Sequence, residues 1–309
     1  MRDRVDAERL RAVAQKLPGI ARPDAPLAQY SWVGIGGPAD LMVVAEDSEA
    51  LVRAVSLARE HDVPYRVFGG LTNVLVPDSG LAGVVVLNQA RNVTFTADRK
   101  LVTDAGAIVV KVARQAVRTG WGGLTWAVGL PGTVGGAVIN NAGAFGGETA
   151  KVLRRADLLA PDGTVVQVGP GWFEFGYRTS RLKGSDLDWL VLGAEFELRA
   201  RDAGRLATKA DEYTARRRRT QPPGKTLGST FKNPPGDYAG RLIDAAGLKG
   251  TRRGGICVSE QHANFLINDR GGTASDFRSL VVQLQETVET RFGVRLETEI
   301  EMLPERQLV

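Results

Sequence analysis

The stretch Gly129-Leu130-Pro131-Gly132-Thr133-Val134-Gly135-Gly136-Ala137, followed by Asn140-Asn141-Ala142-Gly143-Ala144, decides the fold of this chain. Around it, residues 120–148 contain ten of the 37 glycines, interleaved with Val, Ile and Ala and almost free of charge. So apolar a segment is expected to be buried, and glycine permits close approach to its backbone. We therefore predict that the stretch packs against a bulky ligand or another segment of main chain.

Two further glycine loops have different sequence contexts. Gly69-Gly70-Leu71-Thr72-Asn73 directly follows a predicted strand, and its successive backbone amides could bind a diphosphate, although an ordinary tight turn has the same composition. The loop at 34–39 matches the pattern G-x-G-x-x-A, but it precedes a predicted strand rather than a helix. We therefore interpret the loop at 34–39 as a turn and not as a dinucleotide site.

Composition excludes several classes of function. The chain has 309 residues, is 43% hydrophobic and carries a net charge of +5, which indicates a globular protein and does not indicate nucleic-acid binding. With one cysteine, Cys257, and two histidines, His61 and His262, no metal site is predicted. Residues 1–11 lack the apolar core of a signal peptide, and no apolar run approaches the ~18 residues of a membrane span. A cytoplasmic location is expected.

Periodicity and turn residues predict mixed helices and strands. Helices are predicted near 6–16, 48–60, 109–118, 205–219, 237–246 and 274–291. Strands are predicted near 41–45, 65–68, 84–87, 93–95, 101–103, 191–198, 264–268 and 294–302, with a hairpin around Pro161-Asp162-Gly163. The composition becomes more charged near residue 200, so a domain boundary is expected at 200–205.

The glycine-rich stretch belongs to a series of motifs in a fixed order along the chain. The others are Val67–Asn73, Phe175–Ser180, Gly228–Pro234, Ala246–Gly250 with Val258–Asn268, and Leu296-Glu297-Thr298-Glu299. In this combination the chain resembles the UDP-N-acetylenolpyruvoylglucosamine reductase family over nearly its whole length. It departs from the family pattern at Leu71-Thr72, where Gly-Ser is usual, and at Thr125-Trp126, where Glu is usual.

The resemblance implies an α+β protein with two domains. An FAD-binding domain of the vanillyl-alcohol-oxidase type would span residues 1–202 in two α/β lobes that divide near 73–80. A smaller α/β substrate-binding domain would span residues 203–309. The implied reaction uses NADPH to reduce non-covalently bound FAD, which then reduces UDP-N-acetylglucosamine enolpyruvate to UDP-N-acetylmuramate for peptidoglycan synthesis. No nucleic acid, membrane or obligate protein partner is implied.

The resemblance also assigns residues to roles, motif by motif. Ser229 would be the proton donor, Arg178 would hold the substrate carboxylate, and Glu299 would complete the catalytic group. Substrate contacts would come from Tyr177, Arg178, Lys232, Asn233 and His262. The residues assigned to FAD are Gly69, Gly70, Leu71, Thr72, Asn73, Gly129, Gly132, Thr133, Gly135, Gly136, Ala137, Asn141 and Gly143.

Several alternatives stay open at the level of sequence. The run Arg216–Arg219 is typical of a solvated helix face, although some of its guanidinium groups could bind a diphosphate. Cys257 fits a small buried hydrophobe better than a nucleophile, and His262 fits a ligand contact and a buried ring equally well. At the level of function, an oxidase with covalent flavin and a non-enzymatic UDP-sugar-binding protein compete. Against the oxidase, residues 69–76 contain no histidine or cysteine that could bind flavin covalently. The UDP-sugar-binding protein would leave the FAD loops unexplained.

Overall fold

The computed structural model describes residues 6–185 and 187–305, so both predicted chain-terminal domain limits lie outside the described residues. The first unit contains α1 (Ala7–Gln15), β1 (Ala21–Pro26), β2 (Pro38–Ala45), α2 (Ser48–Glu60), β3 (Tyr65–Phe68), β4 (Val74–Leu75) and β5 (Leu81–Asn88). Its sheet has the order β1-β2-β5-β3, in which β2, β5 and β3 are parallel. The Asp47 carboxylate accepts the amide of Ala50 and caps α2, as predicted. Since β2 begins at Pro38, the loop at 34–39 does precede a strand.

The second unit is built on an antiparallel sheet. Its elements are β6 (Val93–Phe95), β7 (Lys100–Asp104), α3 (Val109–Arg118), β8 (Trp121–Gly122), α4 (Val134–Ile139), β9 (Gly143–Ala144), β10 (Gly147–Glu148), β11 (Leu153–Leu159), β12 (Val165–Val168), β13 (Leu190–Glu197), β14 (Arg199–Ala200) and α5 (Ala203–Thr220). The five-stranded sheet has the order β12-β11-β13-β7-β6. The turn at 161–163 joins β11 to β12 as the predicted hairpin. Helices α3 and α4 cover one face around Trp126 and Phe196.

The third unit consists of α6 (Ala239–Ala245), β15 (Arg252–Arg253), β16 (Ile256–Val258), β17 (Leu266–Asn268), α7 (Ala274–Phe292) and β18 (Glu301–Met302). Its core contains Phe231, Phe277 and Leu280. A capping box formed by Thr273 and Asp276 starts α7, and Gly293 ends it in the left-handed region at φ 67°. Strand β18 pairs in parallel with β4, which ties the end of the third unit to the glycine loop of the first.

Two boundaries differ from the sequence prediction. The first sheet runs through Asn88 because β5 lies between β2 and β3, so the two lobes divide at 89–92 and not at 73–80. Of the strand predicted at 294–302, only Glu301–Met302 is a strand, because the preceding residues make a single isolated bridge, between Thr298 and Phe231. Helix α5 packs on α3, and its Leu206 and Ala210 join the core of the second unit. The domain limit at residue 202 stays a prediction, but this packing associates α5 with the residues before it.

No helix among the described residues is long and apolar enough to cross a membrane.

Candidate active site

A cleft of about 550 Å³ lies where the three units meet. Its volume falls in the usual range for small-molecule sites, ≈ 300–1,000 Å³. Fourteen of the predicted site residues line it: Gly69, Gly70, Leu71, Thr72, Asn73, Gly132, Thr133, Gly136, Ala137, Gly143, Arg178, Ser229, Asn233 and Glu299. Six predicted residues are not among those that line the cleft: Gly129, Gly135, Asn141, Tyr177, Lys232 and His262.

The loop at 69–73 lines the cleft, and most of its backbone amides have no partner in the described part of the protein. The amides of residues 70–73 donate no hydrogen bond to any described residue, so they are available to an anionic ligand. A Cβ at Gly69 would lie 2.1 Å from Oγ1 of Thr133, so glycine is required there. Leu71 adopts φ +45°, and its side chain is buried in the core of the first unit, with 3% of the residue exposed. The side chain that replaces the family's usual glycine is therefore accommodated within the protein.

The start of α4 has one face toward the cleft and one toward the sheet. A Cβ at Gly136 would meet only Oγ1 of Thr133, at 3.6 Å, so this position is open on the cleft side. At Gly135 a Cβ would lie 3.0 Å from that of Ala105, whose carbonyl accepts the Gly135 amide at 2.8 Å. The Cα of Gly135 therefore faces the protein interior, and its predicted contact with the cofactor stays a prediction.

Gly129 and Asn141 also have roles other than direct lining. A Cβ at Gly129 would lie 2.6 Å from Cδ of Arg217, so Gly129 makes room for that side chain. Asn141 is buried at φ +40°, donates to the Gly176 carbonyl at 2.9 Å and accepts the Ala150 amide at 3.0 Å. Asn141 thereby holds the turn at 176–179 that carries Arg178, and its predicted contact with FAD stays a prediction.

Arg178 connects the second unit to the third. Its Nη2 donates to the Gly143 carbonyl at 2.5 Å, and its Nε lies 3.1 Å from Oε1 of Glu299. The ring centroid of Tyr177 lies 5.5 Å from the guanidinium carbon. Tyr177 is 54% exposed and contacts Arg178 beside the cleft, and its substrate contact stays a prediction.

Lys183 links the same two segments through the backbone. Its Nζ donates to the carbonyl oxygens of Arg178, at 3.0 Å, and Glu299, at 3.2 Å. Burial lowers the pKa of Lys183, and the charge of Glu299 opposes that shift. The amide of Asn73 donates from its Nδ2 to the Glu299 carbonyl at 3.3 Å, so Glu299 is fixed from two sides.

Glu299 is a carboxyl group in a poorly solvated position among cations. Burial raises its pKa above the usual 4.5. Arg178, Lys183 and Lys232 oppose this shift electrostatically without cancelling it. A raised pKa makes the protonated form, which can donate a hydrogen bond or a proton to a bound ligand, more accessible in Glu299 than in a free carboxyl group.

Ser229 lies on a loop that is fixed by Asn264. The Thr230 amide donates to the Asn264 carbonyl at 2.8 Å, and the Asn264 side chain bonds both backbone groups of Phe231 at 2.8–2.9 Å. The Glu299 amide donates to the Thr230 carbonyl at 2.8 Å, so Ser229 and Glu299 stand on adjacent segments. The Ser229 hydroxyl has no hydrogen-bond partner among the described residues, unlike a turn serine that bonds its own backbone.

The remaining predicted substrate residues divide between the cleft and its surroundings. Asn233 lines the cleft while its Oδ1 accepts the Ala239 amide at 3.1 Å. Lys232 lies 3.3 Å from a carboxylate oxygen of Glu297, and its contact with substrate stays a prediction. His262 is half-buried, accepts the Asn264 amide at 3.3 Å and packs edge-on against Phe265. Its contact with substrate stays a prediction.

Sequence reasoning did not assign several residues that line the cleft: Asn140, Phe145, Arg216, Arg217, Thr220 and Gln221. Burial lowers the pKa of Arg217, whose side chain has no ion pair or hydrogen bond with the described residues. Arg216 lies 5.7 Å from the ring centroid of Phe145. The run Arg216–Arg219 is visible in the sequence as a possible diphosphate-binding segment. Four consecutive arginines do not show, however, that Arg216 and Arg217 line the cleft and that the other two do not. Among the described lining residues there is neither histidine nor cysteine.

Comparison with known proteins supports this geometry at both ends of the chain. Residues 39–169 match the model of the FAD binding domain, and residues 220–303 match that of the UDP-N-acetylenolpyruvoylglucosamine reductase C-terminal domain. The reductase of Rubrobacter xylanophilus is 44% identical over 94% of this chain and 98% of its own. Reductase 2 of Symbiobacterium thermophilum is 42% identical over 96% of each chain. The crystal structure of the Thermus caldophilus reductase matches with a TM-score of 0.78 and 33% identity, over 92% of this chain and 98% of that one.

The FAD-binding domain and the cleft with Arg178, Ser229 and Glu299 define a flavin-dependent oxidoreductase. The similarity in both domains narrows that class further. The chain belongs to the UDP-N-acetylenolpyruvoylglucosamine reductase family.

Proposed function

We propose that the chain reduces UDP-N-acetylglucosamine enolpyruvate to UDP-N-acetylmuramate, with NADPH as the electron donor. The observation that carries the proposal is the convergence of Arg178, Glu299 and Ser229 in one cleft beside a loop of free amides. The substrate and NADPH are made inside the cell, so a cytoplasmic location is part of the proposal.

The residues around the cleft fit FAD. The free amides of 70–73 suit its diphosphate, and the open side of Gly136 leaves room for the ligand against the backbone. When bound, FAD supplies the hydride that is added to the enolpyruvyl double bond. We propose that Gly69–Asn73, Gly132, Thr133, Gly136, Ala137 and Gly143 hold it without a covalent bond, since no histidine or cysteine stands among the described residues that line the cleft.

Arg178 and Glu299 prepare the substrate for this addition. Hydride addition develops negative charge on the carboxylate side of the enolpyruvyl group, and a guanidinium fork placed there stabilises that charge. Arg178 is held for this role by Gly143 and by Lys183. Glu299, whose pKa is raised by burial, donates a hydrogen bond to the same carboxylate when it is protonated. Asn233 binds the nucleotide-sugar side of the cleft.

Ser229 then donates the proton that completes the reaction. A serine hydroxyl is a weak acid, so it can protonate only a strongly basic carbanion or enolate, which is what hydride addition generates. The position of Ser229 supports this role because its hydroxyl lines the cleft without a hydrogen-bond partner among the described residues. The loop that carries it is fixed by Asn264, so the hydroxyl is presented in a defined place.

The test is Ser229→Ala studied in two half-reactions under anaerobic conditions. Flavin reduction by NADPH should stay near the wild-type rate, because no proton from Ser229 is used in it. Flavin reoxidation by the enolpyruvyl substrate should slow by a factor on the order of 10² or more, the usual effect of losing a general acid. Ser56→Ala, at an exposed position of α2, is the matched control and should leave both rates unchanged. Reoxidation within a few-fold of wild type would remove Ser229 from the role of acid.

A further inference from the structure

A second groove, of about 510 Å³, lies on the far side of Phe145 from the active-site cleft. Its walls come from the loops around Trp126 and Gly146 and from the first turns of α5. Phe145 lines both the groove and the cleft, so the two cavities are neighbours. None of the roles assigned above to cleft residues uses the rest of this groove.

Four cations face the groove in two regular pairs. Arg199 and Arg201 stand two residues apart at the edge strand β14, and Arg205 and Lys209 stand four apart on one face of α5. None of the four has an ion pair with a described residue. Asp202 is the only acid among the described residues that line the groove, and its carboxylate already accepts the Arg205 amide at 2.8 Å.

The four exposed side chains concentrate positive charge at the groove. Like charges gathered in one concave surface repel each other and raise the local concentration of counter-ions. Guanidinium groups in particular match the geometry of phosphate oxygens through paired N–H donors. The four cations therefore favour a ligand with a phosphate group.

The rest of the groove suits an aromatic ring. Tyr213 stacks on Phe145 with a centroid distance of 4.1 Å and an interplanar angle of 3°, and the indole of Trp126 lines the adjoining wall. Four glycines complete the surface: Gly122, Gly123, Gly146 and Gly147. A Cβ at Gly146 would meet nothing within 4 Å, so the backbone there is open to close approach.

We propose that this groove binds a nucleotide through a phosphomonoester, with the phosphate at Arg201 and Arg205 and the base against the aromatic wall. The same chemistry is offered by the 2′-phosphoadenosine end of a dinucleotide reductant and by a free mononucleotide. The inference goes beyond the reaction proposed for the cleft, since the groove can bind a nucleotide whether or not Ser229 is the proton donor.

The test measures binding of adenosine 2′,5′-bisphosphate to the holoenzyme by calorimetry. The double variant Arg201→Ser/Arg205→Ser should weaken binding at least tenfold. The control Arg11→Ser/Arg22→Ser removes the same net charge at exposed positions of the first unit and should leave the affinity unchanged. Lys209→Gln, on the exposed face of α5, is a second variant expected to weaken binding if the double variant does not retain flavin.

Steady-state kinetics then distinguish the two sources of the ligand. If the groove holds the reductant, the double variant should raise KM for NADPH at least tenfold and leave KM for NADH unchanged. If it holds a free nucleotide, bisphosphate binding should fall while both KM values stay the same. Failure of the wild-type protein to bind the bisphosphate saturably, or equal affinity in the double variant and its control, would overturn the proposal. UDP binding in the cleft should be the same in the double variant, its control and the wild-type protein. Loss of UDP binding would concern the proposed function, whereas loss of bisphosphate binding alone concerns the groove.

Discussion

Adjacent glycines at the start of α4 should respond in opposite ways to the same substitution. Gly136→Ala adds a methyl group that meets no protein atom closer than 3.6 Å, so the helix gains the propensity difference of about 1 kcal/mol. The apoprotein should therefore melt higher, by roughly 2 °C for a chain of this size. The methyl group projects into the cleft, and FAD should bind at least about tenfold more weakly, a loss of ~1.4 kcal/mol.

Gly135→Ala places its methyl group 3.0 Å from Cβ of Ala105. Overpacking of this kind costs about 1–3 kcal/mol, which offsets or exceeds the gain in helix propensity. The variant should be equal to or less stable than wild type by up to about 2 kcal/mol and should keep FAD affinity near normal. Thermal melts of the apoprotein with and without FAD, together with flavin titration, measure both effects. Full flavin affinity in Gly136→Ala, or greater loss of flavin in Gly135→Ala, would refute this assignment of the two faces.

Three further predictions follow from the contacts around Glu299. Arg178→Lys should slow flavin reoxidation by substrate at least about tenfold in stopped-flow, without slowing reduction by NADPH, because an ammonium group cannot form the guanidinium fork. Equal slowing of both half-reactions would argue against the carboxylate role. Lys183→Met should lower the free energy of unfolding in urea by about 1.5–3 kcal/mol, because it removes a charged donor from two carbonyl groups. A loss below ~0.5 kcal/mol, as expected for an exposed surface residue, would count against this role of Lys183. The pKa of Glu299 is raised, so the native state binds this proton more tightly than the unfolded chain does. The ionised carboxylate therefore destabilises the native state when the pH is above the native pKa. Below pH 4.5 the group is protonated in both states and the cost disappears. Glu299→Gln should therefore melt higher than wild type at neutral pH, and the difference should vanish below pH 4.5; a constant difference would contradict the raised pKa.

Local sequence patterns predicted the regular elements that have clear periodicity and clear ends. The helix at 109–118 and the strand at 65–68 have the predicted limits, because apolar spacing and flanking turn residues act within a few residues. The hairpin around residues 161–163 was predicted for the same reason. The motif order also predicted which loops would meet in one cleft, although not how each residue faces it.

Local patterns could not supply information that only the tertiary structure contains. Gly135 and Gly136 differ by one helical step of about 100°, and a helix of six residues has too little pattern to fix which of them faces the ligand. The change in composition near residue 200 favoured a boundary there, but Leu206 and Ala210, four residues apart on α5, pack into the second unit. Lys183 acts on a carbonyl 116 residues away, a contact that no local pattern indicates.

The most direct test of the account is the absorbance spectrum of the purified protein, followed through both half-reactions without oxygen. The protein should be yellow with an oxidised flavin spectrum, and heat should release intact FAD, since no histidine or cysteine lies among the described residues of the cleft. NADPH should bleach the flavin, and UDP-N-acetylglucosamine enolpyruvate should restore its colour, whereas UDP-N-acetylglucosamine should not. A colourless protein that does not take up added FAD, or a reduced flavin that the enolpyruvyl substrate leaves bleached, would contradict the central claim.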